Sequence, residues 1–354
     1  MVHTEPASGR RGWAIGVLVF TLMALAGLYV AKWQPYYLKA FHAAATHTLG
    51  PSIVTGTAAS APPFSWNAAL SYAIAYGRAI WVALIVGLLL GAGVQTLLPR
   101  DWLLRVLGRT GAKSSAVAGL AAVPSMMCTC CSAPLAVGLA RSKVSPGAVL
   151  AYWLGNPVLN PATIVFLGFV LGWGWALLRI VVGALLVAAV AWYGNRYVPQ
   201  DGVRGAAEAA LAASAEPAQP SFIAWLRALW RLVIGLVPEY IVIVFVLGAL
   251  RSALFPMMTP ALGQSLLLFL GLALAGTLFV IPTAGEVPIL QTLFGYGLGS
   301  AGGGALMITL PAVSLPSLWM VGKAMPKRNL VVVALIVAVF GVLTGALALL
   351  FGLR

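Results

Sequence analysis

Apolar residues fill long stretches near 12–32, 67–98, 114–140, 146–171, 173–194, 228–254, 262–298, 302–321 and 330–351. Most of these runs reach the roughly 20 residues that a membrane-crossing helix needs. The polar positions fall between them in short clusters. This pattern predicts an all-α polytopic membrane protein with about 8–10 membrane segments. The first run follows Arg10 and Arg11, and an Ala24-Leu25-Ala26 triplet that resembles a cleavage site lies inside it rather than after it. That arrangement reads as a retained anchor helix and not as a cleaved leader. The stretch 33–66, with His42 and His47, reads as an extracytoplasmic loop or short surface helix. The stretch 195–221 holds three of the seven acids and reads as a linker, with a short helix over 206–213. The expected units are 1–66, a first repeat at 67–194, the linker at 195–221 and a second repeat at 222–354.

The repeat rests on proline spacing. Pro134 and Pro157 are 23 residues apart, as are Pro288 and Pro311. Each pair is followed by a polar residue and another proline: Asn160 with Pro161, and Ser314 with Pro316. Proline interrupts a helix because it lacks an amide donor and clashes with the preceding turn. Four such interruptions stand out, at 124–134, 155–161, 281–288 and 310–316. In lipid, broken backbone is tolerated only where protein or a water cavity shelters it. The four breaks are therefore expected to meet near the middle of the membrane.

Charge orients the chain. Lys and Arg number 21 against 7 Asp and Glu, giving a net charge of +14, yet only 8% of residues are charged. A soluble domain carries about 25%. The bases are grouped between apolar runs, as in loops that face anionic lipid, which argues against nucleic acid as the partner. If 114–140 crossed once, Arg141 and Lys143 would lie opposite the basic loop 99–113. A re-entrant hairpin there, and a second one at 262–298 from the other face, brings every basic cluster to the cytoplasmic side. This topology makes the two halves inverted repeats with interrupted helices, as in secondary transporters. Nine simple spans with parallel repeats is the alternative.

The three cysteines of the chain, Cys128, Cys130 and Cys131, all lie in the first break. On a helix Cys128 and Cys131 share a face, and Cys130 points about 160° away from Cys128. Thiolates suit soft metals and metalloids. A permanent tetrahedral zinc site needs four ligands, and His3, His42 and His47 lie in distant segments. No metal or other cofactor is expected, so the thiols fit a transient contact with cargo. Two acids lie inside apolar runs, Glu239 and Glu286, and an intramembrane acid suggests function. Glu286 is the candidate for substrate contact or proton coupling. Glu239 is a weaker coupling candidate that could instead pair with Arg251 or Arg179. Asn156, Asn160 and Ser314 are expected to cap broken helix ends or to contact cargo. The sequence "GRTGAKSS" at 108–115 is not a phosphate-binding loop, because its Gly and Lys are not adjacent.

The segments "CTCCSAPLAVGL", "LAYWLGNPVLNPA", "IPTAGEVPIL" and "LPAVSLPSLWMVGK" resemble the predicted permease family that includes the organoarsenical efflux permeases. The resemblance spans roughly 70–350 and does not extend to 33–66 or 195–221. It implies a multi-pass transporter of the bacterial inner membrane rather than an enzyme. Arsenical members export trivalent methylated or aromatic arsenicals, with the cysteine motif implicated in handling them. That role falls here on Cys128, Cys130 and Cys131. The expected cargo is a small thiol-reactive species, such as a trivalent organoarsenical, with membrane lipid as surroundings and a homo-oligomer compatible with the chain. A permease for another small solute, sulfur species or soft metal ion is the alternative. A membrane thiol oxidoreductase is a third reading, but it would want a second thiol pair that the chain lacks.

Overall fold

The computed structural model describes residues 7–58, 60–108, 110–199, 220–255 and 265–353, with side chains from residue 12 onward. The helix expected at 206–213 lies outside the described residues. No strand occurs among the described residues, and seven helices are long and apolar enough to cross a membrane.

α1 (Ala7–Leu28) runs through a π-turn (Tyr29–Trp33) into α2 (Gln34–Thr46) without a break. The helix therefore continues to Thr46, well into the stretch read as a loop or short surface helix from 33 onward. Pro35 does not stop it, because proline is tolerated in the first turn of the segment it opens. The π-turn supplies the local adjustment. Left-handed His47 ends the helix.

Apart from α4, which has no counterpart among the described residues of the second half, the rest of the chain presents one order of elements twice. α3 (Trp66–Thr96) is followed by α4 (Arg100–Leu107), by the short pair α5 (Ala112–Ala122) and α6 (Thr129–Arg141), by the interrupted helix α7 (Pro146–Val158) and α8 (Pro161–Val170), and by α9 (Trp173–Tyr197). Then α10 (Phe222–Leu254) precedes the short pair α11 (Leu266–Leu278) and α12 (Glu286–Gly295), the interrupted helix α13 (Ser300–Ala312) and α14 (Leu315–Val321), and α15 (Lys327–Leu350). The prolines behave as their spacing predicts. Pro157 and Pro311 sit near the ends of α7 and α13, while Pro161 and Pro316 open α8 and α14.

Corresponding helices of the two halves pack against each other and run antiparallel. Near the start of α10 the Trp225 indole donates to the Leu89 carbonyl late in α3 (3.3 Å), and near its end Gly248 faces Tyr72 at the start of α3. Likewise Asn329, opening α15, donates to the Tyr193 hydroxyl near the end of α9 (3.1 Å), while Leu353 beyond α15 meets Gly174 at the start of α9. The broken segments also cross over: α6 packs on α14, and α12 on α8.

The short pairs are hairpins. α5 has 11 residues, about 16 Å of helix, far short of the roughly 30 Å hydrocarbon core. The chain returns to where it entered, since the Ser145 amide donates to the Leu107 carbonyl at 2.9 Å. On that same face Asn195 donates to the Gly111 carbonyl (3.3 Å) and Asn329 to the Tyr197 carbonyl (3.4 Å). The basic clusters at 100–113, 141–143, 196 and 323–328 are thus gathered at one end of the molecule. The second hairpin enters from the other end. There the Tyr296 hydroxyl donates to the Thr57 carbonyl (2.8 Å) and Ser300 to the Leu353 carbonyl (2.5 Å).

Candidate functional site

The four interruptions meet inside the molecule. The first is a 3₁₀ turn (Val123–Ser125), left-handed Met126 and an extended stretch that ends at Cys128, the residue preceding the first turn of α6. The second lies between α7 and α8, where the buried Asn160 caps α8 by accepting from the Ala162 and Thr163 amides at 3.1 and 3.3 Å. The third is the turn 282–285 before α12, with Ala284 left-handed (φ 64°). The fourth is extended at Val313 and Ser314, where the Ser314 amide donates to Ser317 Oγ (3.0 Å). α6, α8 and α12 therefore all point their N-termini inward, towards one small cavity. Met127, Cys128, Pro157, Thr163, Thr283 and Glu286 are among its walls. Its volume is about 10 Å³, about the room one water requires.

The cysteines do not all converge. Cys128 Sγ lies 3.0 Å from Cys131 Sγ, the shared face expected from their spacing. Cys130 faces away and meets Ser314 Oγ at 3.4 Å, next to the buried Tyr76. Asn156 Oδ1 accepts from the Met127 amide at 3.4 Å and so braces the cysteine break, while its amide donates to the Tyr152 carbonyl (2.8 Å). Asn160 Nδ2 is buried with no hydrogen-bond partner.

Glu286 opens α12 on the opposite side of the cavity, 1% exposed, and Arg179 Nη1 lies 2.8 Å from its Oε1. The Arg179 side chain, also fully buried, donates to the carbonyls of Pro157 (2.8 Å), Val158 (3.0 Å) and Met307 (3.2 Å). These are carbonyls left free where the proline-interrupted helices lose their ladders. Oε2 of Glu286 has no hydrogen-bond partner. Glu239 stands apart: its side chain is 42% exposed and is held by Lys323 (2.7 Å) and the Trp319 indole (2.6 Å). Neither Arg179 nor Arg251 pairs with it. Arg251 instead lies over the Tyr72 ring, 5.5 Å from its centroid. The reason is register, since Glu239 lies on the outer face of α10 whereas Tyr240 points inward.

Several site residues escaped the sequence reading. Lys32, a base at the end of the first apolar run, is only 3% exposed. The π-turn rotates it inward, and its Nζ donates to Thr283 Oγ1 at 2.7 Å. Trp33 in the same turn donates to the Pro124 carbonyl (2.7 Å), and Tyr36 donates to the Thr283 carbonyl (3.2 Å). One turn of α1–α2 thus ties down both the cysteine break and the Glu286 break. A π-turn has no clear sequence signature, so nothing marked it. Arg179 did carry a signal, because an arginine inside the apolar run 173–194 meets the criterion that singled out Glu286. Above Thr283 lies a second, larger cavity of about 400 Å³, partly closed off from the first by the 282–284 turn that lines both.

Interrupted hairpins and helices that shelter an acid, an arginine and a thiol pair within a bundle of membrane-length helices define a multi-pass membrane permease. The chain belongs to the family described as "Predicted permease", whose model matches residues 16–156 and 65–350. It is similar to the UPF0718 protein YraQ of Escherichia coli (strain K12), with 48% identity over 337 residues and 94% of each chain covered. No solved structure matches it. The family and the seven apolar helices agree with a multi-pass protein of the bacterial inner membrane.

Proposed function

We propose that this permease is a secondary efflux transporter for a small thiol-reactive metalloid species, with trivalent organoarsenicals as the leading cargo. The observation that carries this reading is the shared cavity: Cys128 and Glu286, from hairpins of opposite halves, line one small space. A monosubstituted trivalent arsenical presents two hydroxyls. Cys128 and Cys131, 3.0 Å apart, can replace both, forming two As–S bonds and releasing two waters. Cys130, turned towards Ser314, offers a third thiol for exchange. The antiparallel halves fit inverted repeats that rock about the cavity to expose it alternately. Glu286 is the coupling acid in this scheme. A proton arriving there breaks the pair with Arg179, and the three carbonyls retain the guanidinium.

The test is uptake into everted vesicles of methylarsenite, arsenite and antimonite. Wild type should accumulate at least methylarsenite. Cys131→Ser should lose more than tenfold, because one remaining thiol cannot chelate, and Glu286→Gln should abolish uptake driven by a pH gradient. If wild-type vesicles accumulate none of the three, the metalloid assignment falls. Full gradient-driven activity in Glu286→Gln would remove Glu286 as the proton carrier.

A further inference from the structure

The 400 Å³ cavity above Thr283 has no role in the scheme just given. Its walls come from α2, the segment 49–53, Phe166, the 282–285 turn and Pro288 of α12, at the end of the molecule opposite the basic clusters. Two titratable bases, Lys39 and His42, line it, and no acid does. Below its floor sits Lys32, buried, with a hydroxyl (Thr283, 2.7 Å), the Tyr36 ring (5.2 Å) and the Cys128 and Cys131 thiols as its surroundings. Neither of the described ion pairs involves Lys32. Lys39 lies over the same Tyr36 ring, at 5.4 Å, so two ammonium groups neighbour one aromatic ring.

A buried cation without a carboxylate is costly unless another anion compensates it. Burial also strengthens its field, since little water screens it. Beneath Lys32, α6, α8 and α12 turn the positive ends of their dipoles to the same region. The acid nearest to them, Glu286, is already matched by Arg179. The upper cavity and its floor therefore carry a positive potential that no carboxylate lining the site neutralises.

We propose that the cavity above Thr283 is a binding site for a small anion, held by Lys39 and His42 at its walls and by Lys32 beneath its floor. The proposal goes beyond the metalloid reading and does not depend on it. It makes the outer approach to the thiols selective by charge: anionic species collect there and cationic ones are repelled.

A reporter cysteine tests this without any transport assay. Leu49→Cys places a thiol on the cavity wall. The full chain in membrane vesicles is treated with methanethiosulfonates that carry a sulfonate or a trimethylammonium group. Labelling at residue 49 is read by peptide mass spectrometry, and each rate is divided by that reagent's rate with free cysteine. Charge-lined clefts raise local counter-ion encounter by about 10-fold or more, so the sulfonate reagent should win by about that factor. Lys39→Glu in the Leu49→Cys background should erase or invert the preference, and size-exclusion elution would show that the variant is folded. Millimolar benzenesulfonate should also slow labelling by neutral methyl methanethiosulfonate at least threefold. A normalised ratio near one, or no protection by benzenesulfonate, overturns the proposal. Failure of arsenical uptake leaves both readouts unchanged.

Discussion

Arg179 serves two purposes that cannot be separated by removing it. It neutralises Glu286, and it satisfies three carbonyls that the interrupted helices leave free. Breaking a buried pair from one side costs about 3–5 kcal/mol because the remaining charge is stranded. Arg179→Met should therefore destabilise the detergent-solubilised protein by about 3–5 kcal/mol, read as a sharp fall in its melting temperature. The Glu239–Lys323 pair is the internal control. It is similarly short, but both side chains are more than a third exposed, and exposed pairs contribute about 0–1 kcal/mol. Lys323→Met should leave the melt nearly unchanged. Equal shifts for the two variants would mean that Arg179 is not the buried keystone its distances indicate. At this scale the sequence exposed the acids and thiols because they are rare in apolar runs. It concealed Lys32, because a lysine near the end of such a run usually reaches for the interface, and only the π-turn sends it inward.

Among the elements, α6 depends on α3 for its position. A Cβ on Gly87 would come within 2.1 Å of the Cys131 carbonyl oxygen, and one on Gly91 within 2.5 Å of the Pro134 carbonyl oxygen. Backbone cannot yield as a flexible side chain can, so close helix approach here requires glycine. Gly87→Ala should push α6 outward at its first turn, where Cys131 faces Cys128. Overpacking of this kind costs about 1–3 kcal/mol, and the displacement should weaken chelation of a dithiol-specific arsenical by the Cys128–Cys131 pair. Gly235→Ala in α10, with nothing within 4 Å, should be neutral or slightly stabilising. Binding of phenylarsine oxide, followed by loss of free thiols, checks both; unaltered binding in Gly87→Ala would show that α6 does not rely on this contact. The breaks themselves were legible, because proline and the polar residue before it have a fixed geometric meaning. Asn160 and Ser314 do precede α8 and α14. The end of the first helix was not legible, because its polar residues after 33 resemble loop composition while packing against α8 keeps them helical.

For the molecule as a whole, the hairpins decide which surface faces which compartment. A single crossing by 112–141 would separate Leu107 from Ser145 by about 30 Å of hydrocarbon, whereas their backbones are hydrogen bonded at 2.9 Å. That contact, with the Gly111–Asn195 and Tyr197–Asn329 contacts, places loop 99–113, the end of α9 and the start of α15 on one side. The charge pattern assigns that side to the cytoplasm, since clusters of Lys and Arg are retained there during insertion. An impermeant maleimide applied to intact cells with a permeable outer membrane should label Thr57→Cys and Phe351→Cys. The same reagent should reach Lys113→Cys and Arg328→Cys only after the inner membrane is opened. All four positions are exposed in the structure, so a failure to label reflects sidedness and not burial. Labelling of Lys113→Cys and Thr57→Cys from the same side would break the hairpin topology. It would also separate the thiols from Glu286, because only opposed hairpins bring Cys128 and the start of α12 to one cavity.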